Sequence, residues 1–417
     1  MMQGPLQSIT TLQPPRYPKV LRVGSSVSAA PPRLAEYAYY ALGFYSILAD
    51  GLGISVPMFG SGMQLVLAAF CIIRLGARAT AVYAPLRLPI ACALSYVVVQ
   101  ITVHGESIMD GGCRTFITWI LMLIIIQSLY LRRGFLHRYA LVLFTTGLIT
   151  LPYLVIGGVG IHERGSVGRS MIQGDFTNAN GLGDWFGFCC LYFTIVCVET
   201  KHNGVRMASI LATVGCLYIV GLTVSRGALL ATAIGITIAL RRLLRRGFVP
   251  LLVFITLSGI IYTFGVFDQM TSRYTTRGLE ETGRFLVWPV VIERFLSSPL
   301  VGVGDSNSLT YVPGHSKPIA AHNGFLGLAL ASGILPFALL AAWWVRAAQN
   351  AFSYGEQLAD SPFRLPLLAY TFVSTMSGAA AFMGAWGLIT FAITMASSTP
   401  YGVRRFVVHR VERGRMV

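Results

Sequence analysis

Charged residues are scarce in this sequence. Only 12% of its 417 residues are Asp, Glu, Lys or Arg, against about 25% in soluble globular proteins. Hydrophobic residues make up 54% of the chain, and apolar runs of roughly 18 residues or more, the length that crosses a bilayer, recur along most of it. This composition excludes a large soluble domain and predicts a polytopic helical membrane protein.

Lysine and acidic residues are scarce as well. The 32 basic residues comprise 29 Arg and only three Lys, and with 16 acidic residues they give a net charge of +16. Such a charge is typical of proteins that bind nucleic acid or anionic lipid. Here, however, 23 basic residues fall on one side of the predicted spans and nine on the other. Because basic loops stay in the cytoplasm, the asymmetry predicts that both termini are cytoplasmic, and we expect no nucleic-acid partner.

The sequence also lacks the motifs of metal, disulfide and nucleotide chemistry. Its seven cysteines form no CxxC pair and mostly lie in apolar runs, as small buried residues do. His315 and His322 have no third ligand at a zinc spacing, and residues 302–304 (Gly-Val-Gly) lack the strand and helix of a dinucleotide fingerprint. The adjacent Glu280 and Glu281 cannot flank a glycosidic bond. We therefore expect neither a metal nor a cofactor.

Eleven apolar runs define the predicted helices. The last run is too long for one span, so we divide it and expect an all-α fold with about twelve transmembrane helices. The close spacing of two runs, 206–223 and 226–240, predicts a helical hairpin. Residues 1–33 form a predicted disordered cytoplasmic tail, 34–400 the transmembrane domain and 401–417 a basic cytoplasmic tail. The runs lie near 35–53, 57–73, 84–103, 114–131, 138–160, 181–199, 206–223, 226–240, 248–266, 322–345 and 365–399.

Two predicted outer loops are long. One covers about 161–180, and the other covers 267–321, between spans nine and ten. Loops longer than about 15 residues are usually functional or disordered. The second loop contains an apolar stretch with a Trp and a Pro, so we expect it to be partly helical, with a helix near 284–297.

Three outer residues are the candidates for chemistry: Arg226, Arg284 and His322. The planar arginine guanidinium donates two parallel hydrogen bonds to an oxyanion and stays charged at any ordinary pH, which suits a phosphate ligand. Histidine accepts a proton near neutral pH. Together these side chains predict a site that binds a lipid diphosphate and activates a hydroxyl group.

Each candidate has a structural interpretation as well. Arg226 lies between two apolar runs and would then snorkel to the lipid headgroups. Arg284 would pair with Glu280 or Glu281 within its loop. A single interfacial histidine such as His322 is more often a hydrogen-bonded structural residue than a base.

Several motifs follow one another on the predicted outer side, and in this order they resemble the bacterial O-antigen ligase and polymerase superfamily. The resemblance covers roughly residues 160–340. The motifs are Gly-Asp-Phe-Thr-Asn-Ala-Asn (174–180), Ser-Arg-Gly-Ala (225–228), Gly-Arg-Phe-Leu-Val-Trp (283–288), Pro-Leu-Val-Gly-Val-Gly (299–304) and His-Asn-Gly-Phe-Leu (322–326), followed by Gly-Ile-Leu (333–335).

The resemblance implies an inverting, metal-independent glycosyltransferase at the periplasmic face of the bacterial inner membrane. Its donor would be a glycan on undecaprenyl diphosphate, and its acceptor a sugar hydroxyl of lipid A–core or of a growing glycan. The matching positions imply that Arg226 and Arg284 hold the diphosphate and that His322 activates the acceptor. The resemblance further implies an auxiliary Arg169 and a pocket shaped by three asparagines: Asn178, Asn180 and Asn323.

One position departs from the ligase pattern. Gly333 follows the His-Asn pair at the expected distance, but Pro336 stands where the pattern has a small residue or Tyr. We favour an O-antigen ligase and keep a polymerase of O-antigen or exopolysaccharide as the alternative. A flippase or transporter is the third interpretation; it is disfavoured because the charged residues cluster at the span ends and the two halves differ in loop length.

Overall fold

The computed structural model describes residues 31–52, 58–132, 134–156, 179–223, 225–244, 284–311, 318–353 and 361–377. Within these ranges the secondary structure is helical apart from an isolated bridge between Thr310 and Ile319, which confirms the all-α prediction. The α-helices are α1 (Arg33–Leu52), α2 (Phe59–Leu75), α3 (Ala79–Val82), α4 (Arg87–Thr102), α5 (Gly111–Tyr130), α6 (Phe135–Ile156), α7 (Ala179–Glu199), α8 (Asn203–Thr223), α9 (Arg226–Leu244), α10 (Arg284–Ser297), α11 (Gly324–Ser332), α12 (Ile334–Ser353) and α13 (Ser361–Ser377).

Five described stretches are long and apolar enough to cross a membrane: Phe59–Val82, Ala84–Thr102, Gly111–Tyr130, Gly181–Glu199 and Asn203–Thr223. The total of about twelve spans therefore stays a prediction. The expected span near 248–266, most of the last apolar run and the tail 401–417 lie outside the described residues, as does nearly all of the tail 1–33.

Two apolar cores build the described bundle. The first joins α1, α2, α4 and α5 to α12, around residues such as Trp119 and Trp343. The second joins α6, α7, α8 and α9, around Trp185 and Phe186. Helix α13 contributes to both, with Leu368 in the first and Leu367 in the second. It therefore ties the two cores together.

Helices α8 and α9 only partly follow the hairpin prediction. Their bounds agree with the two apolar runs, and Val224 and Ser225 alone separate them. Beyond that point, however, α8 packs mainly against α7, α9 packs against α13 and α7, and the two helices make few contacts with each other. The hairpin is corrected to two consecutive helices that do not pack along each other, because α8 is buried on α7 and α9 on α13 and α7.

The prediction of one span over 322–345 is wrong. The chain forms α11, turns at Gly333 and continues as α12. In a continuous helix, Phe325 and Trp344 would lie about 28 Å apart, whereas their ring centroids are 6.0 Å apart. Helix α11 therefore folds back along α12. Gly333 permits the turn because its φ of 83° lies in a region that glycine adopts readily.

Other predictions about the described chain hold. The helix expected near 284–297 is present as α10, Arg284–Ser297. All seven cysteines are free, and all except the half-buried Cys197 are buried. The prediction that they are small buried residues is confirmed for these six.

Candidate functional site

The predicted site residues lie where helices begin. Arg226 is the first residue of α9, and Arg284 is the first residue of α10. His322 and Asn323 directly precede α11, and Asn180 lies in the first turn of α7. The first turn of a helix presents backbone N–H groups without a partner in the helix, and it carries a partial positive charge. Each of these positions is therefore favourable for an anionic ligand.

The start of α7 packs on the turn that leads into α9. A Cβ atom at Gly183 would lie 2.8 Å from the Cβ of Ala228 and 2.9 Å from Oγ1 of Thr223. Only glycine allows this approach, since real Cβ atoms do not come so close to other atoms. The first turn of α7 is thereby held next to the first turn of α9, which Arg226 begins.

The starts of α9 and α11 meet at the same end of α13. A Cβ atom at Gly227 would lie 2.5 Å from Oγ of Ser377. The side-chain nitrogen of Asn323 lies 3.8 Å from the sulfur of Met376. Met376 and Ser377 are neighbours at the end of α13, so the structure brings Arg226 and His322 to one end of the bundle. We call it the Arg226 end.

Helix α10 joins the same end. The indole N–H of Trp288, one turn after Arg284, donates a hydrogen bond of 3.0 Å to the carbonyl of Ala321, which directly precedes His322. Val287, Val291, Ala321 and Leu330 form a small buried core beneath this contact. The first turn of α10 therefore lies beside His322, and the backbone of Arg284 belongs to the Arg226 end.

Asn323 caps α11. Its side-chain oxygen accepts hydrogen bonds from the N–H groups of Phe325 (3.0 Å) and Leu326 (3.2 Å), and the residue is 2% exposed. An N-cap asparagine typically stabilises its helix by about 1 kcal/mol. Asn323 therefore shapes the site by fixing the start of α11.

His322 is held in a strained backbone conformation between two anchored neighbours. Its φ is 48°, in the left-handed region that few residues other than glycine adopt. Ala321 is bonded to Trp288 on one side, and Asn323 caps α11 on the other. The histidine itself is exposed. Strain of this kind is often found at functional sites, where the surrounding structure imposes it.

Arg226 is half-buried. Its two neighbours in the chain fix the start of α9. Ser225 Oγ accepts a weak hydrogen bond of 3.4 Å from the N–H of Ala228, and Gly227 packs on α13. Arg226 thus begins α9 where that helix packs on α7 and α13.

Four predicted residues are described little or not at all. Arg169 and Asn178 lie outside the described residues, and for Asn180 and Arg284 only the backbone, in the first turns of α7 and α10, is described. The geometry above therefore rests on the starts of α9, α10 and α11.

The sequence interpretation missed a buried polar residue near this end. Gln100 is 0% exposed and bonds both to the α11–α12 turn and to the segment after α10. The signal was present in the sequence: an amide residue inside an apolar run is expensive in a membrane and usually has a specific partner.

The described fold and site are those of an all-helical membrane protein with several helix starts gathered at one end. Residues 211–341 match the model of the family described as O-antigen ligase. The matched segment runs from α8 into α12 and contains Arg226, Arg284, His322 and Asn323. It confirms the resemblance to the O-antigen ligase superfamily that the sequence motifs indicated. No curated protein matches the chain.

Proposed function

We propose that this chain is an O-antigen ligase-type glycosyltransferase. It moves a glycan from undecaprenyl diphosphate to a sugar hydroxyl of lipid A–core at the periplasmic face of the inner membrane. The observation that supports this most is the gathering of the starts of α9, α10 and α11, which carry Arg226, Arg284 and His322, at the end of α13. The family match over the same helices agrees with it.

In this proposal the diphosphate of the donor binds Arg226 and Arg284. At about 4 Å and an effective dielectric constant near 20, each arginine–phosphate contact contributes about 4 kcal/mol before desolvation is counted. The helix starts add their N–H groups and partial positive charge. Because the diphosphate gains negative charge as it leaves, these groups stabilise the transition state more than the bound donor.

His322 is the proposed base. It takes the proton of the acceptor hydroxyl while the hydroxyl oxygen forms a bond to the anomeric carbon of the donor sugar. The bond from that carbon to the diphosphate oxygen breaks, and undecaprenyl diphosphate leaves with the electron pair. Attack opposite the leaving group inverts the anomeric centre. The proton on His322 then passes to water.

A polymerase of the same superfamily is the second candidate. It uses the same donor and the same bond-forming step but extends a growing glycan instead of capping lipid A–core. The presence of Pro336 where the ligase pattern has a small residue or Tyr favours this candidate. A flippase is the third, favoured by the break between α11 and α12, since transporters also use interrupted helices.

Deletion of the gene followed by analysis of the surface glycan separates the three candidates. We expect polymer retained on the lipid carrier together with bare core, the result of a missing ligase. Core capped with a single repeat, or loss of secreted polysaccharide, would instead identify a polymerase. Short intermediates left on the cytoplasmic side would identify a flippase and overturn the proposal.

A further inference from the structure

The segment after α10 wraps around the turn between α11 and α12. We call residues 299–306 the clasp. Gly302 (φ 71°) and Gly304 (φ 87°) bring its backbone against the turn, and a Cβ atom at Gly302 would lie 2.5 Å from the carbonyl oxygen of Leu330. Three backbone hydrogen bonds join the two parts: Val303 N–H to Leu330 O (2.8 Å), Gly304 N–H to Ala331 O (3.1 Å) and Ile334 N–H to Pro299 O (2.8 Å).

These bonds satisfy groups that the break in the helix leaves without helical partners. The last carbonyls of α11 have no intrahelical donor, and an unsatisfied backbone group inside a membrane protein costs several kcal/mol. The clasp supplies donors to Leu330 and Ala331. The break at Gly333 and the clasp therefore depend on each other.

One side chain links this assembly to the bundle. The amide nitrogen of Gln100, at the end of α4, donates a hydrogen bond of 2.9 Å to the carbonyl of Ala331. Its amide oxygen accepts one of 2.9 Å from the N–H of Asp305. Gln100 thus joins α4, the end of α11 and the clasp through a residue that is 0% exposed.

Two neighbouring side chains have a narrower role. His104 Nε2 lies 3.0 Å from the carbonyl of Val301, and Glu106 Oε1 accepts hydrogen bonds of 2.9 Å from the N–H and the hydroxyl of Ser306. Each of these hydrogen bonds is to the clasp. Gln100, in contrast, bonds to α11 and to the clasp together.

Helix α11 is a short, stiff rod of nine residues, about 13 Å long. One end is held by Gln100 and the clasp. The other end carries His322 and the cap Asn323, with Phe325 packed on Trp344 and Phe372. A shift at the held end therefore moves the histidine end.

We propose that Gln100 is a positioning residue for the candidate site: by holding the end of α11, it sets where His322 stands relative to the starts of α9 and α10. The role in catalysis rests on the proposed glycosyl transfer, whereas the role in holding α11 does not.

The test compares Gln100→Met with Gln127→Met in the full-length protein in nanodiscs. Gln127 is a matched control, because it is also buried and donates a hydrogen bond of 3.0 Å to a backbone carbonyl, that of Val82 in α3. Hydrogen–deuterium exchange is measured on peptides covering 299–308 and 323–334. In these peptides we expect amide exchange to be roughly tenfold faster in Gln100→Met than in the wild type, because one or two hydrogen bonds are lost. Exchange in Gln127→Met should equal that of the wild type. Unchanged exchange in Gln100→Met, or an equal rise in both variants, would overturn the proposal.

The second measurement is steady-state transfer per folded molecule. We expect kcat of Gln100→Met to fall roughly ten- to a hundredfold, because a small misplacement of a reacting group slows the chemical step by that much. KM for the lipid-linked donor should stay unchanged, because Arg226 and Arg284 are not on α11. Gln127→Met should keep wild-type kcat. Faster exchange with wild-type kcat would overturn the positioning role. If the wild-type protein transfers no glycan, the proposed function fails, and the exchange data alone decide whether Gln100 holds α11.

Discussion

The two ends of the bundle are held together by different chemistry. At the end opposite Arg226, the buried carboxylate of Glu36 on α1 pairs with Arg138 (2.7 Å) and Arg132 (3.0 Å), and Tyr40 donates a further hydrogen bond of 2.7 Å. We call this the Glu36 end. At the Arg226 end, the helices are joined by glycine contacts, backbone hydrogen bonds and the amide side chains of Gln100 and Asn323.

If the proposed function is right, this difference separates charged groups that hold the fold together from charged groups that act on the substrate. At the Glu36 end, the charged groups form the joint, so removing one of them weakens the fold. At the Arg226 end, glycine contacts, backbone hydrogen bonds and amide side chains contribute to the joint, so we expect substitution of Arg226 or His322 to weaken the fold less than substitution of Glu36 does. The same contrast predicts which substitutions affect stability and which affect activity.

The largest effect is expected for Arg226→Ala. If Arg226 stabilises the departing diphosphate, its loss should lower transfer per folded molecule roughly 10²- to 10³-fold. Arg226→Lys should recover only part of the activity, because lysine does not form the two-pronged contact. Arg206→Ala, at the exposed start of α8, is the control and should keep wild-type activity. Equal activity in Arg226→Ala and Arg206→Ala would contradict the assignment.

At the Glu36 end the effect should be on stability. Glu36 is 2% exposed, but its partners Arg132 and Arg138 are 18% and 43% exposed. Glu36→Gln should therefore cost about 1–3 kcal/mol, less than the loss of a fully buried pair. Transfer per folded molecule should stay at the wild-type level. Thermal unfolding measures the loss, and Glu199→Gln, at an exposed position at the end of α7, serves as the control. A wild-type melting temperature for Glu36→Gln would show that the ion pairs do not stabilise this end.

Glycine substitutions test the joint at the Arg226 end. Gly302→Ala places a Cβ against the backbone of α11 in a conformation that alanine avoids, so we expect a loss of about 1–3 kcal/mol in the free energy of unfolding and a larger loss of activity. Gly327→Ala is the control. Gly327 lies within α11 with open space around its Cβ position, and alanine there should stabilise the helix by about 0.5–1 kcal/mol. The same response from both variants would contradict the tight fit of the clasp.

The smallest effect concerns Asp305 in the clasp. Burial raises the pKa of its carboxyl; the nearby hydroxyl of Tyr96 lowers it, and the nearby carboxylates of Glu106 and Asp110 raise it further. The folded protein therefore holds the proton more tightly than the unfolded chain does. Stability should fall as the pH rises from the ordinary pKa near 4 through the raised value.

Asp305→Asn should remove this pH dependence and stabilise the protein slightly at neutral pH. Unfolding measured from pH 4 to pH 7 tests the prediction, with Glu199→Gln, which changes an exposed carboxylate at the end of α7, as the comparison. A pH dependence that survives in Asp305→Asn would show that another group is responsible.

The sequence predicted the features that depend on local pattern. Helix α10 is found at 284–297 because its apolar positions and flanking residues define it locally. The motifs that indicated Arg226, Arg284 and His322 fall at helix starts. Polar residues are common at such positions, so the local sequence marks them.

The features it missed depend on contacts between distant segments. The apolar run 322–345 continues through Gly333, so hydrophobicity alone indicates one span; the fold-back follows from the clasp, about 30 residues earlier, and from Phe325 packing on Trp344. Gln100 belongs to the same assembly, more than 200 residues before Asp305 and Ala331. Such pairings cannot be derived from periodicity.

The most direct test of the proposed function is transfer by the purified protein in nanodiscs, with an undecaprenyl diphosphate-linked glycan as donor and lipid A–core as acceptor. His322→Ala is compared with His202→Ala, which replaces an exposed histidine just before α8. We predict that wild type and His202→Ala cap the core at equal rates, while His322→Ala, equally folded, is at least about 100-fold slower. Wild-type rates in His322→Ala would contradict the account.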